Sequence, residues 1–174
     1  MEVILKLIDN EYPLEYIDHT RKTARAILVN EKGQVGFNKL HGKDMFGIRE
    51  YYETAGGGFA EHESGEEAVL REVREESGYE CEIIAEIGIV DDYYNLIHRH
   101  NLNYYYLCKS RAFVGRKLEK YEEGMIEKFV WMDIDEAIKE FENMNISPIS
   151  RLVKNRELPI LLKAKEMLGI WIYY

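Results

Sequence analysis

The sequence predicts an α/β fold in which helices pack on a mixed β-sheet. Three observations carry this. Tracts rich in β-branched and aromatic residues recur between about Thr23 and Asp133, a capped helix-periodic run interrupts them at Ser64 to Ser77, and helical patterns close the chain from about Ile134. With strands on both sides of the capped helix, a mixed sheet carrying helices is the simplest architecture. At 174 residues, 46% of them hydrophobic and 12% aromatic, the chain is long enough to bury a core without disulfides or a structural metal. No repeat, low-complexity tract or linker divides it. Residues 1–174 are therefore read as one domain, with a strand-bearing segment at 1–22 and a helix at about 155–169 as extensions.

The elements follow in order. "TARAILVNEKGQVGFNKL" is a hairpin, because apolar alternation stops at Asn30, Glu31, Lys32 and Gly33 and then resumes. "FGIREYYETA" continues as extended chain into a glycine loop. The helix from Ser64 has marked ends: Ser64 and Glu67 make a capping box, and Gly78 sits where a helix stops. "ECEIIAEIGIVDDYYN", "NLNYYYLCKSRAFVG" and "EKFVWMD" read as three further strands. A helix over about Ile134 to Asn143, capped by Asp133, and a last helix through "ELPILLKAKEML" complete the chain.

Bulk charge narrows the partners. With 32 acidic and 23 basic side chains the formal charge is −9, which repels polymeric nucleic acid at long range. A small phosphorylated ligand stays open if a cation mediates. Cys81 and Cys108 form no disulfide framework and behave as small apolar groups in strands. The apolar start "MEVILKLIDNEYP" is interrupted too early, by Lys6 and Asp9, for a signal peptide, and no run spans a bilayer. These features predict a cytoplasmic protein that does not engage membranes.

The stretch "TAGGGFAEHESGEEAVLREVREESGY" concentrates the chemistry. On a helical wheel at about 100° per residue, Glu75 and Glu76 fall roughly 60° and 40° to either side of Glu72. Three carboxylates share one arc. Arg71 reaches Glu75 at the i,i+4 spacing, while Val69 and Val73 place the arc at the border of the buried face. Like charges there, at the negative end of the helix dipole, need a counter-charge, and a hard divalent cation with oxygen ligands supplies one. A solvated acidic face is the competing reading from composition alone. The adjacent glycines permit close backbone approach, so a carbonyl could join the carboxylates.

From Gly57 the pattern runs through Glu63, Arg71, Glu72, Val73, Glu75, Glu76 and Gly78 to Tyr79, and at this spacing it resembles the signature box of the Nudix hydrolases. Every fixed polar and glycine position is present. Tyr79 stands where an aliphatic residue is usual, Thr54 and Ala55 stand where many relatives have a proline, and His62 stands where a glycine often precedes the glutamate. With the "WMDIDEAI" strand-to-helix passage the likeness extends from about Thr23 to Asn143.

The resemblance implies an α/β/α sandwich and Mg²⁺- or Mn²⁺-dependent hydrolysis of a nucleoside diphosphate linked to another group. By position, Glu72, Glu75, Glu76 and the Gly57 carbonyl would bind metal, and Arg71 with Glu63 would hold the site in place. The general base comes either from the box or from a later loop, where Glu122, Glu123 and Glu127 are available and Glu123 is the choice. Arg25, Arg49 and Tyr94 are the candidates for contact with a small nucleotide-type substrate. Some relatives that cleave dinucleotide polyphosphates carry a tyrosine near the Tyr93–Tyr94 distance from the box. His98 and His100 in "HRH" lack a third ligand for zinc. Self-association as a homodimer is left open. Two other functions compete: a non-catalytic nucleotide sensor on the same fold, and an isoprenyl diphosphate isomerase, which needs a cysteine upstream of the box where this chain has none.

Overall fold

The computed structural model describes residues 1–171, with side chains described to Gly169. Along the chain lie β1 (Val3–Lys6), β2 (His19–Val29), β3 (Val35–Asp44), β4 (Gly47–Glu53), β5 (Ala55–Gly58), α1 (Gly65–Ser77), β6 (Tyr79–Tyr94), β7 (Arg99–Phe113), α2 (Lys120–Glu123), β8 (Ile126–Met132), α3 (Ile134–Glu142) and α4 (Pro148–Trp171). A 3₁₀ turn, Asn95–Ile97, joins β6 to β7. The strands form one mixed sheet of order β1-β6-β7-β2-β3-β4, with β5 against β2 and β8 against β3. β2 and β7 pair in parallel from His19↔Arg99 to Val29↔Lys109. β6 and β7 pair antiparallel.

Strand alternation builds two cores, one on each face of the sheet. Ala24, Ala26 and Leu28 of β2 join Ala68, Val69 and Val73 of α1. Ile27 and Val29 point the other way and join Phe141 of α3 and Ile149, Val153, Ile160 and Leu161 of α4. The result is the α/β/α sandwich. The free edge of β2 is shared: Thr23 to Ala26 pair with β5, and Leu28 and Val29 with β3. β5 and β3 diverge there, and the opening between them positions the site.

α1 is capped at both ends as its sequence requires. Glu67 N donates to Ser64 Oγ at 3.1 Å, Ser64 N to Glu67 Oε2 at 2.8 Å, and Gly78 takes φ +82° to stop the helix. Tyr79, the departure from an aliphatic residue, packs edge-on against Phe113 and Trp131, with ring centroids at 5.0 and 5.4 Å.

The structure departs from the sequence reading in three places. The acidic tract read as a loop contains α2, a single helical turn held by a reciprocal cap between Glu119 and Glu122. The last helix begins earlier, at Pro148, where a missing N–H costs nothing and Ser147 and Ser150 cap one another. As read from the sequence it runs through Pro159; buried Leu152, Val153, Ile160 and Leu161 bind both halves to one core and offset the backbone bond lost there. His98 precedes β7 in a left-handed conformation and stacks on Tyr16, whereas His100 lies in the strand and contacts Asp91. The two imidazoles therefore do not converge. Among the described residues no helix is long and apolar enough to cross a membrane.

Candidate functional site

Glu76 enters the opening between β5 and β3. Its Oε2 accepts from Gly56 N of β5 and from Asn38 Nδ2 of β3, each at 2.8 Å. It is only 5% exposed. Burial, and then the charge of Glu72, hold its carboxyl well above the usual carboxylate range, and the two N–H donors offset this only in part. Glu72 is also buried. Burial raises its carboxyl too, opposed by Arg71, whose Nη1 donates to Glu72 Oε1 at 2.8 Å.

The glycine beside Glu72 is required by space. A Cβ at Gly57 would lie 2.5 Å from Glu72 Oε1 and 2.7 Å from its Cδ, so any side chain there would displace the carboxylate. Arg71 organises the outer side of the cluster. It makes a bidentate pair with Glu63, Nε to Oε1 at 2.7 Å and Nη2 to Oε2 at 2.8 Å, and also donates to the Gly58 carbonyl at 3.0 Å. The same guanidinium meets Glu75 Oε2 at 3.2 Å.

The three box glutamates thus differ in setting. Among the described residues, the carboxylates that could hold a metal together are Glu72, Glu76 and Glu122, with one oxygen from each within 4.8 Å of the others. Glu75 is half-buried and turned to Arg71. Glu123, the later-loop residue chosen from sequence, is exposed and lies outside this group, and Glu127 pairs with Lys39 at 3.3 Å. A helical turn places neighbouring residues about 100° apart, so Glu122 and Glu123 cannot both face the site.

The donor set fits a hard divalent cation. It is all oxygen, partly dehydrated, and pressed against a glycine whose Cβ would fill the space; Glu76 in particular has no cationic partner among the described residues.

The carboxylates open into a cleft of about 540 Å³, lined by Arg21, Arg25, Arg49, Arg99 and Arg156 among others. Arg25 and Arg49, read from sequence as substrate contacts, already have partners. Arg25 pairs with Glu53 at 3.1 Å and donates to the Thr54 carbonyl, and Arg49 pairs with Asp44 at 2.7 Å. Tyr94 is 6% exposed, and its hydroxyl accepts from Arg156 Nη1 at 2.7 Å. It is part of the cleft wall. Behind the wall lies an ion network that the sequence reading missed: Arg156 meets Glu53 at 2.6 Å and Glu157 at 3.0 Å, and Tyr105 donates to Glu157 at 2.8 Å. The adjacent Arg156 and Glu157 within an apolar helix pattern were the available signal. Asn38, a polar residue in a strand buried on both faces, was another.

A family model of the NUDIX domain matches residues 19–152. No curated protein matches the chain significantly. Among solved structures, a NUDIX hydrolase from Nitrosomonas europaea superposes with a TM-score of 0.60 at 20% identity, over 78% of this chain and 86% of that one. The MutT protein from Methanosarcina mazei Go1 gives 0.58 at 20% identity, over 83% and 95% of the two chains. The E. coli ORF135 protein gives 0.58 at 18%, over 91% and 97%. At such identities the likeness is one of fold. The family model spans the chain from the start of β2 into α4, and the protein accordingly belongs to the NUDIX domain family.

Proposed function

We propose that this protein, a hydrolase of phosphoanhydride bonds, cleaves a nucleoside diphosphate linked to another moiety and depends on Mg²⁺ or Mn²⁺ for it. The observation that carries the reading is the convergence of Glu72, Glu76 and Glu122 at the floor of an arginine-lined cleft. Glu72, Glu76 and Glu75, the Gly57 carbonyl and Glu122 would hold the ion. A divalent cation bound there screens pyrophosphate oxygens and acidifies water for attack on phosphorus.

The chain's own residues supply the rest. Arg71, engaged with Glu63, Glu72 and Glu75, orients carboxylates and does not touch substrate. Glu122 is half-buried at the cleft and is better placed than Glu123 to accept a proton from the attacking water. Arg25 and Arg49 shape the cleft through their carboxylate partners. The free thiols Cys81 and Cys108 and the acidic surface support a cytoplasmic setting, and a homodimer is the form of self-association to test.

A panel of nucleoside triphosphates, dinucleotide polyphosphates, nucleotide sugars and ADP-ribose, incubated with Mg²⁺ and analysed by mass, tests this. The expected outcome is cleavage of at least one class at a pyrophosphate linkage, abolished by EDTA. Binding of a nucleotide with no cleavage of any would instead make the protein a ligand sensor on this fold.

A further inference from the structure

Among the described residues, two of the arginines that line the cleft are left without a carboxylate partner. Three of its five arginines are ion-paired: Arg25 and Arg156 to Glu53, and Arg49 to Asp44. Arg21 and Arg99 have no carboxylate within ion-pair distance among the described residues. The parallel register sets Arg21 opposite Asn101 and His19 opposite Arg99, so Arg21, Arg99 and Asn101 share one face of the sheet. Arg21 and Arg99 are about two residues, or roughly 7 Å, apart along the strands, a separation that one phosphate group between two long side chains can bridge.

Their surroundings direct them to a ligand. The Arg21 guanidinium lies over Gly58, since a Cβ there would be 2.9 Å from Nη2, and Gly58 follows the glycine that faces Glu72. Arg99 lies with Cζ 5.4 Å from the centre of the Tyr94 ring, and its Nε donates to Asn101 Oδ1 at 2.6 Å. That bond fixes the orientation of the Asn101 amide. Asn101 is 1% exposed and lines the cleft, yet its Nδ2 has no partner. A buried donor without an acceptor is costly, and so points to an acceptor that arrives with the ligand. Burial, and then the neighbouring Arg21, lower the Arg99 guanidinium to about 10, the mark of a cation without its counter-charge.

We propose that Arg21, Arg99 and the Asn101 amide form a subsite for a phosphate that the substrate carries beyond its metal-bound diphosphate. The subsite rests on the pyrophosphohydrolase reading for its place in the reaction. It selects substrates whose far group is anionic, such as a further phosphate, over those ending in a neutral sugar. Two guanidinium groups and an amide suit a tetrahedral oxyanion.

The test separates the subsite from the hydrolysis. In EDTA, ¹⁵N-labelled protein is titrated with inorganic phosphate while arginine Nε–H resonances are followed. Saturable shifts of Arg21 and Arg99 are expected. Arg21→Gln and Arg99→Gln should each weaken binding at least tenfold, Arg21→Lys should hold it within about threefold, and the surface control Arg111→Gln should leave it unchanged. With Mg²⁺, Arg99→Gln should lower kcat/KM for a phosphate-terminated substrate at least thirtyfold and for a neutral-ended one less than threefold. Absence of phosphate shifts, or equal losses on both substrates, overturns the subsite while leaving hydrolysis intact. Phosphate binding without cleavage of any substrate upholds the subsite and removes the hydrolase reading.

Discussion

Glu76 concentrates the cost of building the site. It is a buried carboxylate with two neutral donors, near a second buried carboxylate, and its ionised form is disfavoured in the metal-free protein. Glu76→Gln keeps the shape and an oxygen for those donors while removing the charge. In EDTA it should be at least as stable as the natural protein by urea denaturation, and a loss above about 1 kcal/mol would contradict this account of Glu76. His62 tells a different story. It holds φ +63° on an exposed loop, in the left-handed region where glycine is at ease. His62→Gly should raise stability by a few tenths to about 1 kcal/mol, the relief of strain being partly offset by glycine's looser unfolded state. The spacing of Glu72, Glu75 and Glu76 was legible in the sequence because a helix has a fixed period. That Glu122 and not Glu123 lies with Glu72 and Glu76 was not, because the phase of a single isolated turn depends on where its cap falls.

At the scale of elements, the site exists because β2 exchanges β5 for β3 along its edge and leaves room for a side chain of α1 to pass between them. The strands and helices were readable from alternation and caps, but this divergence depends on pairing between segments far apart in sequence. The start of α4 was hidden for a related reason: the residues before about 155 join the helix through Ile149, Leu152 and Val153, whose burial depends on a core shared with distant strands. α4 also carries Arg156 into the cleft wall, where it meets Glu53, with Glu157 paired to it behind the wall. Burial alone would raise the Glu53 carboxyl; Arg25, Arg156 and Arg49 instead bring it down to about 2. A carboxyl lowered in the folded state stabilises above its ordinary value of 4.5, and that stability is lost as pH falls from there through about 2. Glu53→Gln should therefore cost about 3 kcal/mol at neutral pH, by leaving buried cations short of a partner. Its acid unfolding should be less steep across the same window, and an unchanged acid limb in pH-jump denaturation would refute this role for Glu53.

Across the whole molecule, a chain of charge −9 surrounds a cleft lined by arginines, and the clustered carboxylates that could hold a metal come from α1 and α2, with Gly57 of β5 making the room. The α/β architecture and the box were legible because local periodicity and fixed spacing encode them. The cleft was not, since Arg21, Arg99 and Asn101 acquire meaning only once β2 and β7 lie in parallel register. The need for charge at the floor of that cleft is measured by one comparison: Mg²⁺-dependent hydrolysis of a cleaved nucleotide by the natural protein and by Glu76→Gln, with folding checked by thermal melting. Turnover should fall about a hundredfold or more in a variant that remains folded. A folded variant that turns over at the natural rate would contradict this need.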